Sequence, residues 1–208
     1  MSVRQLRDLM SRVARLEKRA ARFPLQGVDL SGRDLKGKNF SNTDLTGALL
    51  IGADLRAEAN LSGANLTSAN LMRANLTDAN LSEANFTDAN LSYAIMRTVN
   101  AVNASMIGTV LRDAILSGSN LSGVKAKGAN FLTSTLDSVI FVSADLTDAR
   151  FRWSNLSNAD FSNADLRAAD LTKTGLSGAN FTGAKYNDQT KFPLGITQAQ
   201  LNSMIKTP

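Results

Sequence analysis

The sequence contains neither histidine nor cysteine. That removes the commonest general base, the commonest transition-metal ligand, the thiol nucleophile and any disulfide frame, and leaves carboxylate, hydroxyl and lysine chemistry. Three patterns could use what remains. Gly32-Arg33-Asp34-Leu35-Lys36-Gly37-Lys38 has the spacing of a phosphate-cradling loop, but Asn39 stands where Ser or Thr would meet magnesium, and no strand followed by a long helix surrounds it. Asp145, Asp160, Asp165 and Asp170 each precede a Leu or Phe. In isolation they suit metal or acid–base work; recurring in a repeat, they suit solvated turn residues. Asn65-Leu66-Thr67 and its copies match a glycosylation acceptor, in a chain whose N-terminus lacks the apolar stretch and cleavage site of a secretory signal. The expectation is a non-catalytic protein with no cofactor and no bound metal, located in the cytoplasm.

Charge gives a further hint of binding, and its placement matters more than its sum. The chain has a formal charge of +5. Residues 1–24 hold Arg4, Arg7, Arg12, Arg15, Lys18, Arg19 and Arg22 against Asp8 and Glu17, so they account for all of it. The remaining chain carries 16 basic and 16 acidic side chains. No apolar run is long enough to span a membrane.

Positioning any of these residues falls to an element that the spacing of the apolar residues defines. Leu or Phe returns every five residues at Leu61, Leu66, Leu71, Leu76, Leu81, Phe86 and Leu91, and the beat continues through Leu111, Phe131, Leu146, Phe161 and Phe181 to Tyr186. Leu25 to Leu55 keep the same step, and one extra residue before Leu61 shifts the phase. A period of five fits neither the 3.6 of a helix nor the 2 of a strand, so the chain must turn once per repeat. With each repeat forming one side of a square, the central Leu and the small residue two before it point inward while the other three face water. Four sides make a coil of roughly twenty residues, and about eight coils stacked at roughly 4.8 Å give a rod near 40 Å long.

The Ala-(Asp/Asn)-Leu-X-X text resembles the pentapeptide-repeat family, of the bacterial and cyanobacterial type, over residues 25–186. The resemblance implies an all-β solenoid, a right-handed quadrilateral β-helix. Between about 95 and 143 the small inward residue is replaced by Val99, Thr109, Val124 and Val139, which predicts local widening. The twenty-residue step predicts aromatic ladders of Phe141, Phe161 and Phe181 and of Phe131 and Phe151.

An open solenoid exposes core and strand edges at both ends and needs caps. Leu6, Leu9, Val13, Leu16, Ala20 and Phe23 make an apolar stripe at helical spacing, opposite a basic face of Arg4, Arg7, Arg15, Lys18 and Arg22, and Pro24 ends the pattern. Thr197 and Gln200 have capping-box spacing, with Ile196 and Leu201 placed as a hydrophobic staple, which predicts a helix over 197–206. The division is thus a capping helix at 1–24, the β-helix at 25–188 and a closing segment at 189–208.

Columns twenty residues apart single out one wall, centred on Leu71, Leu91, Leu111, Phe131, Phe151 and Leu171. Its outward residues include Met72, Arg73, Tyr93, Arg112, Leu132, Arg150, Arg152, Trp153 and Lys173, a basic and aromatic set of the kind enriched at protein interfaces. Drift of surface positions would give such a mixture too. Three function classes stay open: a scaffold that binds another protein through this wall, with self-association through a terminal cap; the topoisomerase-binding DNA mimic that the resemblance implies for the quinolone-resistance members of the family; and contact with DNA or a membrane through residues 1–23. Mimicry of a phosphate backbone calls for a negative surface, whereas this wall is positive.

Overall fold

The computed structural model describes residues 25–208. One repeat shows how five residues become one side of a tube. In Ala64–Ser68, the Ala64 amide closes a turn onto the Leu61 carbonyl at 3.0 Å, the Asn65 amide reaches back one coil to Thr43, and the Leu66 and Ser68 amides reach forward to Asn85 and Thr87. The fifth amide, of Thr67, donates to the Asn65 side-chain oxygen at 3.2 Å. No backbone donor of the repeat is left over, which is the condition a buried, continuously turning chain must meet. It also explains why Asn or Asp precedes most centres, because a short side chain with an acceptor can satisfy its own backbone two residues on.

Every turn from Gly27 to Gly183 places its second residue in the left-handed region, including bulky Arg73, Tyr93 and Trp153. With the turn closed from the centre's carbonyl to the amide three residues on, this is the type II pattern. The extra residue after Leu55 is absorbed locally: Ala57 and Glu58 are both left-handed, with φ of 56° and 62°.

The turns divide each coil into four sides, and each side meets the next coil through one parallel bridge. The wall of interest runs Asp29, Leu49, Asn70, Asn90, Val110, Asn130, Arg150, Asp170, Lys191. Its steps are twenty residues, except where the insertion near residue 57 and a second one after Tyr186 make them 21.

The core is the lumen. The centres and the small residues two before them, such as Ala64, Leu66, Ala69 and Leu71, are almost wholly buried. The predicted aromatic ladders form: Phe131 and Phe151 stack at 4.9 Å, Phe141 and Phe161 at 5.3 Å, and Phe161 and Phe181 at 5.1 Å. The two ladders also meet edge to face across the lumen, Phe131 on Phe141 at 5.8 Å and Phe141 on Phe151 at 5.9 Å, because centres ten residues apart face each other from opposite walls.

Of the larger residues that replace the inward alanine, only Val99 and Val139 alter the turn: Val99 makes no turn bond, while Val124 and Thr109 close theirs at 3.1 Å, as Ala84 does. Val139 closes its turn at 3.3 Å, against 2.9 Å for Ala89. The rungs between coils stay short, as in Phe141 to Asp160 at 2.7 Å, so the expected widening is confined to the turn. Three inward hydroxyls bond to a carbonyl of the preceding coil, Thr109 to Phe86 at 2.7 Å, Ser119 to Met96 at 2.6 Å and Ser134 to Leu111 at 2.7 Å, and Ser154 bonds to Phe151 of its own turn. Ser119 does double duty, since its oxygen also accepts the Val99 amide at 3.2 Å.

After Tyr186 the chain leaves the five-residue beat. A helix, α1 (Gln198–Ser203), begins at Thr197 with a reciprocal capping box to Gln200, and the Gln200 amide group donates to the Leu176 and Ala179 carbonyls at 3.3 and 3.2 Å. Ile196 and Leu201 pack on the core. The helix is shorter than the predicted 197–206. Its continuation is extended instead: β2 (Ile205–Lys206) pairs in parallel with β1 (Lys185–Tyr186) and so adds a rung to the solenoid. The predicted amphipathic helix of residues 3–23 lies outside the described residues.

Candidate interaction wall

The residues that could have carried chemistry are occupied by the fold. Gly32 and Gly37 sit in two consecutive turns whose amides close onto Leu30 and Leu35 or reach the next coil, so no cradle of free amides exists for a phosphate. Lys36 pairs with Asp54 at 3.1 Å and Arg56 with the same carboxylate at 2.7 Å. The Arg56 guanidinium first, and then Lys36, hold the Asp54 carboxyl far below the usual carboxylate range. Asp145, Asp160, Asp165 and Asp170 each accept the backbone amide two residues on, at 2.9–3.2 Å. Asn65 likewise accepts from Thr67 and donates to Thr46 at 2.8 Å.

The wall of Leu71 to Leu171 differs from the others in its surface. The wall two sides away runs Asn39, Asn60, Asn80, Asn100, Asn120, Ile140, Asp160, Asn180, flanked mainly by Ser, Gly and Asn and by no lysine or arginine from Asn80 onward. On the wall of interest the structure sorts the predicted residues into two groups. In the upper group Arg73 lies over the Tyr93 ring at 5.8 Å and Met72 is half-buried beside it. Arg112 between the groups is engaged by Asp113 at 3.1 Å, which takes its charge out of play.

The lower group is denser. Trp153 is 55% exposed, with the Lys173 ammonium 4.2 Å from its ring centroid and the Arg152 guanidinium at 5.9 Å. Beside it Asn130, Leu132, Arg150, Arg152, Asp170 and Lys191 line a shallow depression of about 380 Å³. Type II geometry sets this pattern: the residue after each centre lies on the wall and the next turns out at the corner, so the Arg152–Trp153 pair presents a charge and a ring side by side. Among the described residues, none of Arg150, Arg152, Lys173 and Lys191 takes part in an ion pair. Asp170 is the single carboxylate of the depression. Burial pushes its pKa up, but the Thr172 hydroxyl and amide, together with Lys191 and Arg152, outweigh that and hold it below the ordinary value.

Sequence reasoning missed Lys191, Val110 and Leu49 on this wall. Val110 was within reach of the twenty-residue step from Asn90; Leu49 and Lys191 lie beyond the two insertions, where that step fails. The basic set Arg4, Arg7, Arg15, Lys18 and Arg22 lies outside the described residues. No described helix is long and apolar enough to cross a membrane.

The family model for pentapeptide repeats matches in eight copies, over residues 25–57, 57–97, 94–131, 114–152 and 144–183. A search of curated proteins gave no match. Among solved structures, full-length QnrB1, a plasmid-mediated fluoroquinolone resistance protein, aligns with a TM-score of 0.59 and 16% identity over 86% of this chain and 93% of its own. At that identity the likeness bears on the fold alone. HetL, a pentapeptide repeat protein involved in heterocyst differentiation regulation from the cyanobacterium Nostoc, aligns with a TM-score of 0.37 and 22% identity over 84% and 95% of the two chains.

Proposed function

The chain belongs to the pentapeptide-repeat family, and on that premise we propose that it acts without catalysis, as a rigid right-handed β-helical rod that binds another protein through the wall of Arg150, Arg152, Trp153 and Lys173. Members of the family are in general non-catalytic structural or interaction modules. The observation that carries the reading is the exposed Trp153 held between two cations that form no ion pair among the described residues. An exposed ring and free guanidinium groups are the side chains that anchor protein interfaces, and a fold that gains nothing from them leaves binding as their use. DNA mimicry does not suit this surface, because the chain beyond residue 24 has 16 charges of each sign and the distinctive wall is positive.

The test is affinity capture from the native cell with the wild-type chain and with the Arg152→Ala/Trp153→Ala double variant, followed by binding of each purified candidate to both. The reading predicts a partner that the double variant loses while its thermal unfolding is unchanged. A set of captured proteins identical for both chains sinks it. A topoisomerase supercoiling assay with the purified chain separates the mimic, which would alter the enzyme, from the rod proposed here, which would not.

A further inference from the structure

We infer that the partner presents an extended acidic segment to the lower part of the wall, with carboxylates spaced to meet Arg150 and Lys191. The inference rests on the reading of this wall as an interface and adds the chemistry of its occupant. Three observations carry it. Three cations that form no ion pair among the described residues, Arg150, Arg152 and Lys191, surround one half-buried carboxylate, with Lys173 beyond them, so the local excess is positive and its complement is acidic. Arg150, Asp170 and Lys191 are consecutive rungs of one ladder, so the order of charge along the axis is positive, negative, positive. Leu132 lines the same depression and Trp153 stands against its Arg152, which adds apolar surface for an uncharged side chain between the acids.

The spacing then selects the ligand. Two rungs separate Arg150 from Lys191, about 10 Å at the interstrand spacing, and a peptide in the extended polyproline II conformation climbs roughly 3.1 Å per residue and returns every third side chain to the same face. Carboxylates three residues apart therefore reach both cations, while the residues between them pass over Asp170. Nucleic acid, charged at every residue, sets a phosphate against that carboxylate. A peptide of the pattern acid, two uncharged residues, acid avoids the conflict.

The probe is a random-peptide library displayed on phage, selected on the full chain and counter-selected on Arg150→Glu/Arg152→Glu. The expected outcome is that clones surviving both rounds are enriched in Asp and Glu, most strongly at a separation of three. Their synthetic peptides should lose at least about tenfold in affinity on Arg150→Glu/Arg152→Glu but not on Lys125→Glu/Lys127→Glu, which makes the same charge change on the neighbouring wall. Wall-dependent clones without acidic enrichment, equal losses on both double variants, or an oligonucleotide duplex bound more tightly than any peptide would each overturn the inference. The two readings fail differently. If capture of a native partner still depends on Trp153 while no acidic peptide binds, only the acidic chemistry falls; if neither depends on the wall, the interface itself does.

Discussion

Lys173 and Trp153, twenty residues apart in sequence and one coil apart in space, place an ammonium 4.2 Å from the centre of an indole ring. Both side chains are exposed, so the contact adds little to stability and mainly presents a preformed feature to whatever approaches. Trp153 is also the only tryptophan in the chain, which makes its emission a direct reporter of the wall. Lys173→Gln should alter that emission while moving the melting temperature by less than about 2 °C. Binding of an acidic peptide should shift the emission to shorter wavelength as water leaves the ring. An emission spectrum indifferent to both changes would remove Trp153 from the interface.

The lumen holds the opposite kind of aromatic. Phe141 is fully buried, stacked on Phe161 and edge-on to Phe131 and Phe151. Phe141→Ala should cost about 3–5 kcal/mol, read from the denaturant midpoint, because neither the coil above nor the coil below can close on the void. Leu116→Asp, which buries an unpaired charge in the same lumen, should go further and open the coil to protease between repeats. Equal midpoints for Phe141→Ala and the wild type would contradict a packed interior.

These packing relations mark how far the sequence could be read. The five-residue beat places every centre inside, and twenty-residue columns find both Phe ladders, because a closed square tube leaves one place for each position. Two things escaped. Edge-to-face contact across the lumen depends on its width, which no periodicity states. Lys191 joins the wall only through the insertion after Tyr186, and unlike the one before Leu61 it is followed by no resumed five-residue beat that would reveal the shift. The end of α1 was hidden for a different reason: Ile205 pairs with Lys185 across the last coil, a long-range gain that overrides local helix preference.

Ser119 offers a test of the hydroxyl inlays. Its side chain both donates to Met96 and accepts from Val99, replacing a turn bond that Val99 does not make. Ser134 only donates, to a Leu111 carbonyl that also receives the Ala114 amide at 3.1 Å. Ser119→Ala therefore strands a buried amide and should cost about 1–3 kcal/mol, whereas Ser134→Ala should fall at or below the lower end of that range. Urea unfolding of the two variants checks the order; a larger loss for Ser134→Ala would mean that the Val99 amide finds another partner.

The pH dependence of binding follows from the composition of the wall. The chain has no histidine, and Asp170, held below the ordinary carboxylate value, stays charged between about pH 6 and pH 9. Affinity for an acidic peptide should be flat there. The sign for stability runs the other way from a histidine switch. A depressed carboxyl stabilises the fold above its unfolded value, and this contribution is lost as pH falls through the still lower folded value. The stability difference between the wild type and Asp170→Asn should accordingly be constant at neutral pH and shrink only in acid. Peptide titrations and melting curves across pH read both; a binding step near neutrality would show that another group controls the site.

Glycines at the corners separate backbone strain from crowding between coils. Gly32 and Gly123 are both left-handed, at φ of 64° and 67°, but a Cβ on Gly32 would meet nothing, whereas one on Gly123 would run into the Asn103 side-chain oxygen of the preceding coil. Gly32→Ala should cost about 1 kcal/mol, the left-handed penalty alone. Gly123→Ala adds the displacement of Asn103, which is itself left-handed at φ 58°, and should cost more. Asn103→Gly in the Gly123→Ala background, which removes the oxygen at a left-handed corner that glycine tolerates, should then recover the excess and leave the strain at position 123, which makes the pair a double-mutant cycle across one rung. If the two single glycine variants melt together, Asn103 swings aside freely and the corners do not transmit packing from coil to coil.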